Sequence, residues 1–180
     1  MFKATQLLTR KGKLNPRRPP GLQEKALARA LRVSLLSDPG KIAWDGKRLN
    51  TRLCATAGDV IHDLCHYQMA TADRRSLPEY GLGTSPDSYE HSLVGVDPIR
   101  RQAEEHVTSL LGIIWERHLG YDHLKTMRSH GWLDDAGGLD SDLNANRTLE
   151  WLYSMAFVDQ NGKPKLQLYA NVCIPNVLNW

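Results

Sequence analysis

Cysteine is scarce in this chain, and the few cysteines are not close to one another in sequence. Only three occur among 180 residues, at Cys54, Cys65 and Cys173. An odd number at such wide spacing provides no disulfide framework of the kind that holds small secreted domains together. A reducing compartment therefore fits this cysteine usage best.

Long apolar runs, internal repeats and low-complexity tracts are also lacking. No apolar segment has the length of a signal-peptide core or approaches a membrane span. We therefore expect a cytoplasmic protein without a membrane partner. A chain of 180 residues suits one domain that buries a continuous core without covalent staples.

Acidic residues are rare in the first third of the chain. Residues 1–52 contain thirteen Lys and Arg but only three acids, a net charge of +10, whereas the whole chain carries +3. Such a basic segment can contact nucleic acid, the ribosome or an acidic protein, and it can equally be a solvated arm. Because a Pro- and Arg-rich stretch ends at Gly21, we predict a basic N-terminal arm over residues 1–21 and a single folded domain over residues 22–180.

Hydrophobic periodicity, capping residues and turn residues together predict a mainly helical α+β fold. Asp97-Pro98 is a clear helix start, with a capping Asp and Pro at the first helical position. A hairpin is expected around Asp45-Gly46, loops over residues 71–96 and 134–142, and a strand over residues 165–174. Helices are expected over residues 22–36, 56–69, 98–118, 121–132 and 146–158.

The most informative stretch is His62-Asp63-Leu64-Cys65-His66, within the second of these helices. Two histidines four residues apart project from one face of a helix, so their imidazoles can share a metal ion. The carboxylate of Asp63 between them can act on metal-bound water. The pattern differs from the metallopeptidase helix His-Glu-x-x-His only in having Asp63 in place of Glu.

A metal site needs a third ligand, and the helix that begins at Pro98 offers Glu104 and Glu105. At about 100° per residue, the apolar residues of this helix cluster around one direction. Glu104 lies roughly 60° from the centre of that cluster, whereas Glu105 points nearly opposite, toward water. If the apolar face packs on the helix of His62 and His66, Glu104 is the predicted third ligand.

Two histidines and one carboxylate with open coordination positions describe both zinc hydrolases and non-haem iron oxygenases. The ligand set therefore leaves the divalent ion as either Fe(II) or Zn(II). Asp63 is one methylene shorter than Glu, so its carboxylate lies farther from a metal-bound water. This makes the peptidase interpretation the less favourable one.

The segment from His62 to Gly81 resembles the metal-site segment of the elongation factor P hydroxylase family. The resemblance spans about residues 57–112. Small uncharacterised phage-borne proteins with a zincin-like core are similar as well. The shared features are the histidine pair, a following aromatic residue, an Ala, a double Arg, an acidic–aromatic–Gly step and a Pro-Asp step: Tyr67, Ala70, Arg74-Arg75, Glu79-Tyr80-Gly81 and Pro86-Asp87.

The resemblance implies a zincin-like α+β core with a metal-binding helix, a second ligand-bearing helix and a small sheet. It also implies an iron-dependent monooxygenase that hydroxylates a protein side chain, with His62, His66 and a downstream Glu as metal ligands. The implied partner is a protein substrate similar to a translation factor. Asp63 stands where the family has Glu, so we expect it to act in acid–base chemistry or to support the ligands from outside the coordination sphere.

Arg74, Arg75 and Tyr80 are candidate substrate-binding residues at the mouth of the predicted loop. Each has a second interpretation, because the arginines can complement the end of the metal-binding helix and Tyr80 can anchor the loop. Three functions stay open on the sequence alone. They are an iron-dependent hydroxylase, a zinc-dependent hydrolase, and a non-catalytic protein that binds nucleic acid or a host protein through its basic N-terminal region.

Overall fold

The computed structural model describes residues 7–8, 21–82, 98–133, 139 and 145–169 of the chain. Over these residues the protein is mainly helical with a small sheet, which confirms the α+β class. The elements in chain order are α1 (Gln23–Ala30), β1 (Ser34–Leu36), β2 (Arg48–Asn50), α2 (Ala57–Met69), α3 (Ala72–Arg75), a 3₁₀ turn (Pro78–Gly81), α4 (Pro98–Leu119), α5 (His123–Ser129) and α6 (Ala145–Ser154).

Helix α2 begins at Ala57, one residue after the start of the predicted range 56–69. The Thr56 hydroxyl accepts a hydrogen bond from the Asp59 N–H at 3.2 Å, and the Asp59 carboxylate accepts one from the Thr56 N–H at 2.7 Å. This capping box satisfies two of the N–H groups that the first turn leaves without helical partners. The helix ends at Met69, as predicted, and α4 begins at Pro98, as predicted.

Helices α2 and α4 pack against each other in antiparallel orientation. A Cβ placed on Gly58 would lie 2.6 Å from Glu116 Oε1, and one placed on Gly112 would lie 3.7 Å from the Cα of His62. Contacts that advance along α2 therefore move backward along α4. Both helices bury many apolar side chains in the core, including Val60, Ile61, Leu64, Cys65, Met69, Val107, Leu110, Leu111, Ile113 and Ile114.

Helix α1 is shorter than its periodicity predicts, because the chain leaves the helix after Ala30 and continues into β1. Arg32 has a φ of 60°, and the Val33 N–H donates to the Ala28 carbonyl at 2.8 Å. This is the bond pattern of a Schellman C-cap. No Gly or Pro marks this position in the sequence. Because the stretch is rich in helix-forming residues, the helix was predicted to continue to Leu36.

The small sheet is parallel, and the predicted hairpin is only partly formed. Strand β1 pairs with β2 so that Leu35 lies opposite Leu49. Around Asp45-Gly46 the antiparallel pairing is reduced to one isolated bridge between Trp44 and Leu49. The carboxylate of Asp45 accepts from the Arg48 N–H at 2.7 Å, so a local side-chain bond holds the turn.

The strand predicted over residues 165–174 is not formed in its described part, residues 165–169. A side chain takes the place of a neighbouring strand, since the amide of Gln68 donates to the carbonyls of Lys165 and Gln167 at 3.0 and 2.9 Å. The indole of Trp115 donates to Gln68 Oε1 at 3.0 Å. The fully buried Gln68 thereby links α2, α4 and the C-terminal segment.

Part of the predicted N-terminal arm belongs to the core. Leu7 and Leu8 are buried, and the ring of His123 forms a hydrogen bond with the Leu8 carbonyl at 2.9 Å. These two residues therefore pack with the folded domain. Among the described residues, no helix has the length and apolarity needed to cross a membrane.

Several predicted features lie outside the described residues, and they stay predictions. Most of the basic arm is among them, so a contact of the arm with nucleic acid also stays a prediction. The predicted features outside the described residues are Arg17 and Arg18, the Pro86-Asp87 step, the Asp97 cap, the loop over residues 134–142 apart from Leu139, the end of the predicted strand, and Cys173.

Candidate metal centre

Three ligand-type atoms from two helices converge at one point. The Nε2 atoms of His62 and His66, one turn apart on α2, lie 3.1 Å from each other. Glu105 Oε2, on α4, lies 3.3 Å from the first and 3.2 Å from the second. These residues form a group that can hold a metal ion, and we refer to it as the His62–His66–Glu105 triad.

The spacing of the triad matches the edges of a metal coordination shell. With metal–ligand bonds of about 2.0–2.1 Å, neighbouring ligand atoms lie about 3.4 Å apart in tetrahedral and about 3.0 Å apart in octahedral coordination. The observed separations of 3.1, 3.2 and 3.3 Å fall between these values. Atoms that carry lone pairs repel one another at such distances unless a proton or a metal ion lies among them. The residues therefore fit a divalent metal ion.

The choice of Glu104 as third ligand, with Glu105 in water, does not match this geometry. Glu105 contacts both imidazoles, whereas Glu104 lies on the Nδ1 side of His66. Glu104 would be the third ligand only if the apolar face of α4 packed on α2. Instead, α4 is buried on opposite sides, and the stripe that carries Glu105, Gly112 and Glu116 faces α2.

The small residue of that stripe was an available signal for the correct orientation. Gly112 lies in the interior of α4, where glycine is unfavourable and often marks a close approach of another backbone. Glu105 precedes it by seven residues, which places both on the same face of the helix. Close helix packing at Gly112 therefore favours Glu105, whereas the centre of the apolar face favours Glu104.

Glu104 is held by an arginine behind the triad. Its side chain is 2% exposed, against 39% for Glu105. Arg74 binds it through two bonds, Nη1 to Oε2 at 2.6 Å and Nη2 to Oε1 at 2.8 Å. Glu104 Oε1 also lies 3.6 Å from His66 Nδ1, a buried atom without a hydrogen-bond partner among the described residues. Carboxylates often stand in this place behind metal-binding histidines, where they fix the ring orientation.

The carboxylates concentrate negative charge around His66. Burial lowers the pKa of His66, but the charges of Glu105 and Glu104 and the hydrogen bond with Glu105 outweigh it and raise the pKa to about 10. Burial likewise raises the pKa of Glu105, and the imidazoles of His66 and His62 more than reverse this, so that the pKa lies far below its usual range. A field that favours a proton here also favours a metal cation in the same place.

An aromatic wall closes the triad on the side of His66. The ring of Tyr80 stacks on that of His66 with centroids 5.8 Å apart, and Trp44 stacks on Tyr80 at 5.2 Å. The Tyr80 hydroxyl donates to the Asp63 carbonyl at 2.9 Å. Glu79 and Tyr80 have φ angles of 48° and 54°, a costly backbone conformation for residues other than glycine. The stacking contacts and the hydroxyl hydrogen bond stabilise this backbone conformation. They favour the interpretation of Tyr80 as an anchor of the loop.

Both residues of the double-Arg step are bonded within the protein. Besides its carboxylate partner, Arg74 donates through Nε to the Tyr80 carbonyl at 2.8 Å. Arg75 donates to the carbonyls of Tyr67 and Tyr169 at 3.0 and 2.6 Å, and its guanidinium lies 5.4 Å from the centroid of the Tyr67 ring. The arginines therefore brace α2 and the segments around it, and their contact with substrate stays a prediction.

Asp63 is engaged with Cys54. The thiol of Cys54 donates to Asp63 Oδ2 at 3.5 Å. Within the described ranges, no hydrogen bond joins the Asp63 carboxylate to the triad. Burial raises the pKa of Asp63, and the charges of His62 and His66 oppose that shift. Asp63 is thus a candidate for proton transfer near the triad and not one of its three converging groups.

The triad is open on the side of His62. Two cavities formed by the described residues reach this imidazole, one of about 420 Å³ and one of about 440 Å³. Both are also lined by Ser109 and His130, and the second is lined by Glu105. A small molecule or a substrate side chain can therefore approach the triad past His62 and Glu105, whereas Tyr80 covers His66.

A further carboxyl group, which the sequence interpretation missed, lines the first cavity. Glu116 is 3% exposed, and the Thr126 hydroxyl lies 3.0 and 2.7 Å from its two oxygens. Burial raises the pKa of Glu116 to about 7, and the charges of Asp59 and Asp122 act in the same direction against the hydrogen bond of Thr126. A carboxyl group that titrates near neutrality in a cavity also lined by His62 is suited to proton transfer.

Comparison of the chain with protein-family models, with curated proteins and with solved structures found no match. The resemblance to the elongation factor P hydroxylases and the zincin-like core therefore stay predictions.

Proposed function

We propose that the protein is a divalent-metal-dependent enzyme in which His62, His66 and Glu105 hold the ion. The observation that carries this proposal is the convergence of three ligand atoms at separations of 3.1–3.3 Å. Three protein ligands leave coordination positions for substrate, as in catalytic rather than structural metal sites. The cavities beside His62 give access to those positions.

The chemistry we favour is iron(II)-dependent hydroxylation of a protein side chain. Two histidines and one carboxylate are the ligand set of non-haem iron oxygenases, and the resemblance of residues 57–112 points the same way. When bound, Fe(II) would supply the activation of oxygen. The residues of this chain would contribute an ionised Glu105, the aromatic ring of Tyr80 that covers His66, and a carboxylate at Glu104 that orients the His66 ring.

The surroundings of Asp63 favour hydroxylation over peptide hydrolysis. Hydrolysis by a metal centre depends on a base within hydrogen-bond reach of the attacking water. The Asp63 carboxylate accepts instead from Cys54 at 3.5 Å. Hydroxylation at an iron centre makes no such demand on this position.

Metal content and oxygen use test the proposal. The protein is stripped with a chelator and reloaded anaerobically with Fe(II) or Zn(II), beside His62→Ala/His66→Ala and the control His118→Ala, which changes an exposed histidine of α4. We expect one ion per chain in the wild type and the control, and none in the double variant. With a candidate protein substrate and ascorbate as a two-electron reductant, the Fe(II) form should consume oxygen and add one oxygen atom to the substrate, detected by mass spectrometry, while the second oxygen atom leaves as water. No bound ion would refute the metal site, and tight zinc binding without oxygen use would refute the hydroxylase.

Zinc-dependent hydrolysis is the second candidate, and Glu116 is the observation that favours it. Its pKa of about 7 suits a general acid or base in the cavity that also contains His62. The zinc-loaded protein would then cleave a peptide library. Asp63→Asn and Glu116→Gln separate the two possible proton carriers, and cleavage that survives both changes would exclude each of them.

A further inference from the structure

The turn that follows α5 fixes the position of two side chains. His130 ends the helix, Gly131 follows with a φ of 74°, and the Trp132 N–H donates to the Met127 carbonyl at 2.8 Å. Together with the bond from the Gly131 N–H to the Arg128 carbonyl at 3.2 Å, this is a complete Schellman motif. Glycine permits the positive φ of this sharp turn. As a result, His130 and Trp132 both reach α4.

Ser109 of α4 lies between these two side chains. The Trp132 indole donates to Ser109 Oγ at 2.9 Å, and the same oxygen lies 2.9 Å from His130 Nδ1. An indole N–H only donates, so the arrangement that uses every group directs the Ser109 hydroxyl hydrogen to His130 Nδ1. The neutral imidazole of His130 then carries its hydrogen on Nε2, which has no partner among the described residues.

His130 faces the open side of the triad. Its ring centroid lies 6.0 Å from that of His62, and the two rings are nearly perpendicular at 89°. Both rings line both of the cavities that reach the triad. Behind them, His106 packs on Trp132 with centroids 4.4 Å apart and supports this wall of the second cavity.

We propose that His130 orients substrate, by donating a hydrogen bond from Nε2 to an anionic oxygen or nitrogen ligand on the open side of the His62–His66–Glu105 metal site. This inference rests on the proposed metal site and extends it. Ser109 and Trp132 act through His130 and are positioning residues. The ligand class is a small anion or an anionic group of a larger substrate, such as a carboxylate.

The test uses Co(II) as a spectroscopic metal and azide as the ligand. Co(II) is titrated into metal-free wild type, His130→Ala, His130→Gln and the control His118→Ala, and azide is then titrated into each Co(II) protein. We expect the same Co(II) affinity in all four. Azide should bind roughly tenfold to hundredfold more weakly in His130→Ala, the usual effect of losing a hydrogen bond to a charged group. His130→Gln should recover part of this, because its amide keeps an N–H donor.

Each outcome points to one conclusion. A wild type that does not bind Co(II) would refute the metal site and the role of His130 with it. Normal Co(II) binding, with azide affinity unchanged in His130→Ala or no azide binding by the wild type, would refute the role of His130 alone. A large loss of Co(II) affinity in His130→Ala would make this residue a metal ligand and overturn the proposal as stated.

The positioning role of Ser109 has a separate test that needs no metal. Long-range nitrogen–proton NMR spectra of the wild type should show His130 with its hydrogen on Nε2. Ser109→Ala removes the donor to Nδ1 and should give a mixture of the two tautomers. A wild type with its hydrogen on Nδ1 would overturn the proposed donor arrangement.

Discussion

Glu105 and Glu116 lie on the same stripe of α4, about three turns apart, and they behave in opposite ways. Opposite Glu105, α2 carries His62 and His66, whereas opposite Glu116 it carries Gly58. The imidazoles overcome the effect of burial and hold the pKa of Glu105 far below its usual range. Burial, without a cationic partner among the described residues, raises the pKa of Glu116 to about 7.

The difference shows that a polar stripe between two helices does not by itself bring ligand-type atoms together. At one end the facing helix supplies two further ligand atoms, and together the three groups suit an ion with more than one positive charge. At the other end it supplies none, and the hydroxyl of Thr126 satisfies Glu116. At pH values up to about 7, the Glu116 carboxyl group therefore carries a proton.

The largest effect is expected from removing the charge of Glu105. Glu105→Gln should abolish stoichiometric metal binding, because one of three ligands loses its negative charge. The matched change Glu104→Gln should weaken metal binding about tenfold, as expected for a group behind a ligand, and Glu116→Gln should leave it unchanged. Competition with a coloured chelator measures all three affinities. A larger loss for Glu104→Gln than for Glu105→Gln would restore Glu104 as the ligand.

The histidine pair was predictable from the sequence, and the carboxylate that converges with it was not, for a physical reason. The spacing of His62 and His66 and the capping box at Thr56 depend on neighbours within one or two helical turns. The choice between Glu104 and Glu105 depends on which side of α4 meets α2. Because α4 is buried on opposite sides, its apolar centre does not give that direction.

Other misses have the same origin in tertiary contacts. The end of α1 is set by backbone bonds around Arg32, where no Gly or Pro marks a turn. The segment 165–169 alternates like a strand, but its carbonyls bond to the amide of Gln68. The overall α+β class was predictable because it depends on composition and periodicity over long windows.

Glu104, the neighbour of Glu105, is a buried carboxylate that is bound by an arginine, Arg74. Arg74→Met should destabilise the protein by about 3–5 kcal/mol, because it leaves Glu104 buried without its partner. The control Arg48→Met breaks the exposed pair with Asp45 and should cost at most about 1 kcal/mol. Urea unfolding measures both, and Arg74→Met/Glu104→Gln should recover much of the loss. Equal costs for the two arginine changes would contradict the buried pair.

Glu116 should make stability fall as the pH rises. The folded state keeps a proton on this group up to a pKa of about 7, whereas the unfolded chain loses it near 4.5. The folded state therefore binds more protons between these values, and the contribution of up to about 3 kcal/mol is present at low pH and lost as the pH approaches 7. Unfolding of the wild type and Glu116→Gln across this range isolates the contribution. Parallel curves for the two proteins would show that Glu116 is not protonated in the fold.

The smallest effect concerns the two glycines that bring the helices together. At Gly112 a Cβ would lie 3.7 Å from the Cα of His62, an ordinary contact, so Gly112→Ala should stabilise α4 by at most about 1 kcal/mol and leave metal affinity unchanged. At Gly58 a Cβ would lie 2.6 Å from Glu116 Oε1, so Gly58→Ala should displace that carboxylate and destabilise the protein. Thermal unfolding and metal titration compare the two variants. Loss of metal binding in Gly112→Ala would contradict this prediction, because it would show that the helices approach more closely at the triad than at Glu116.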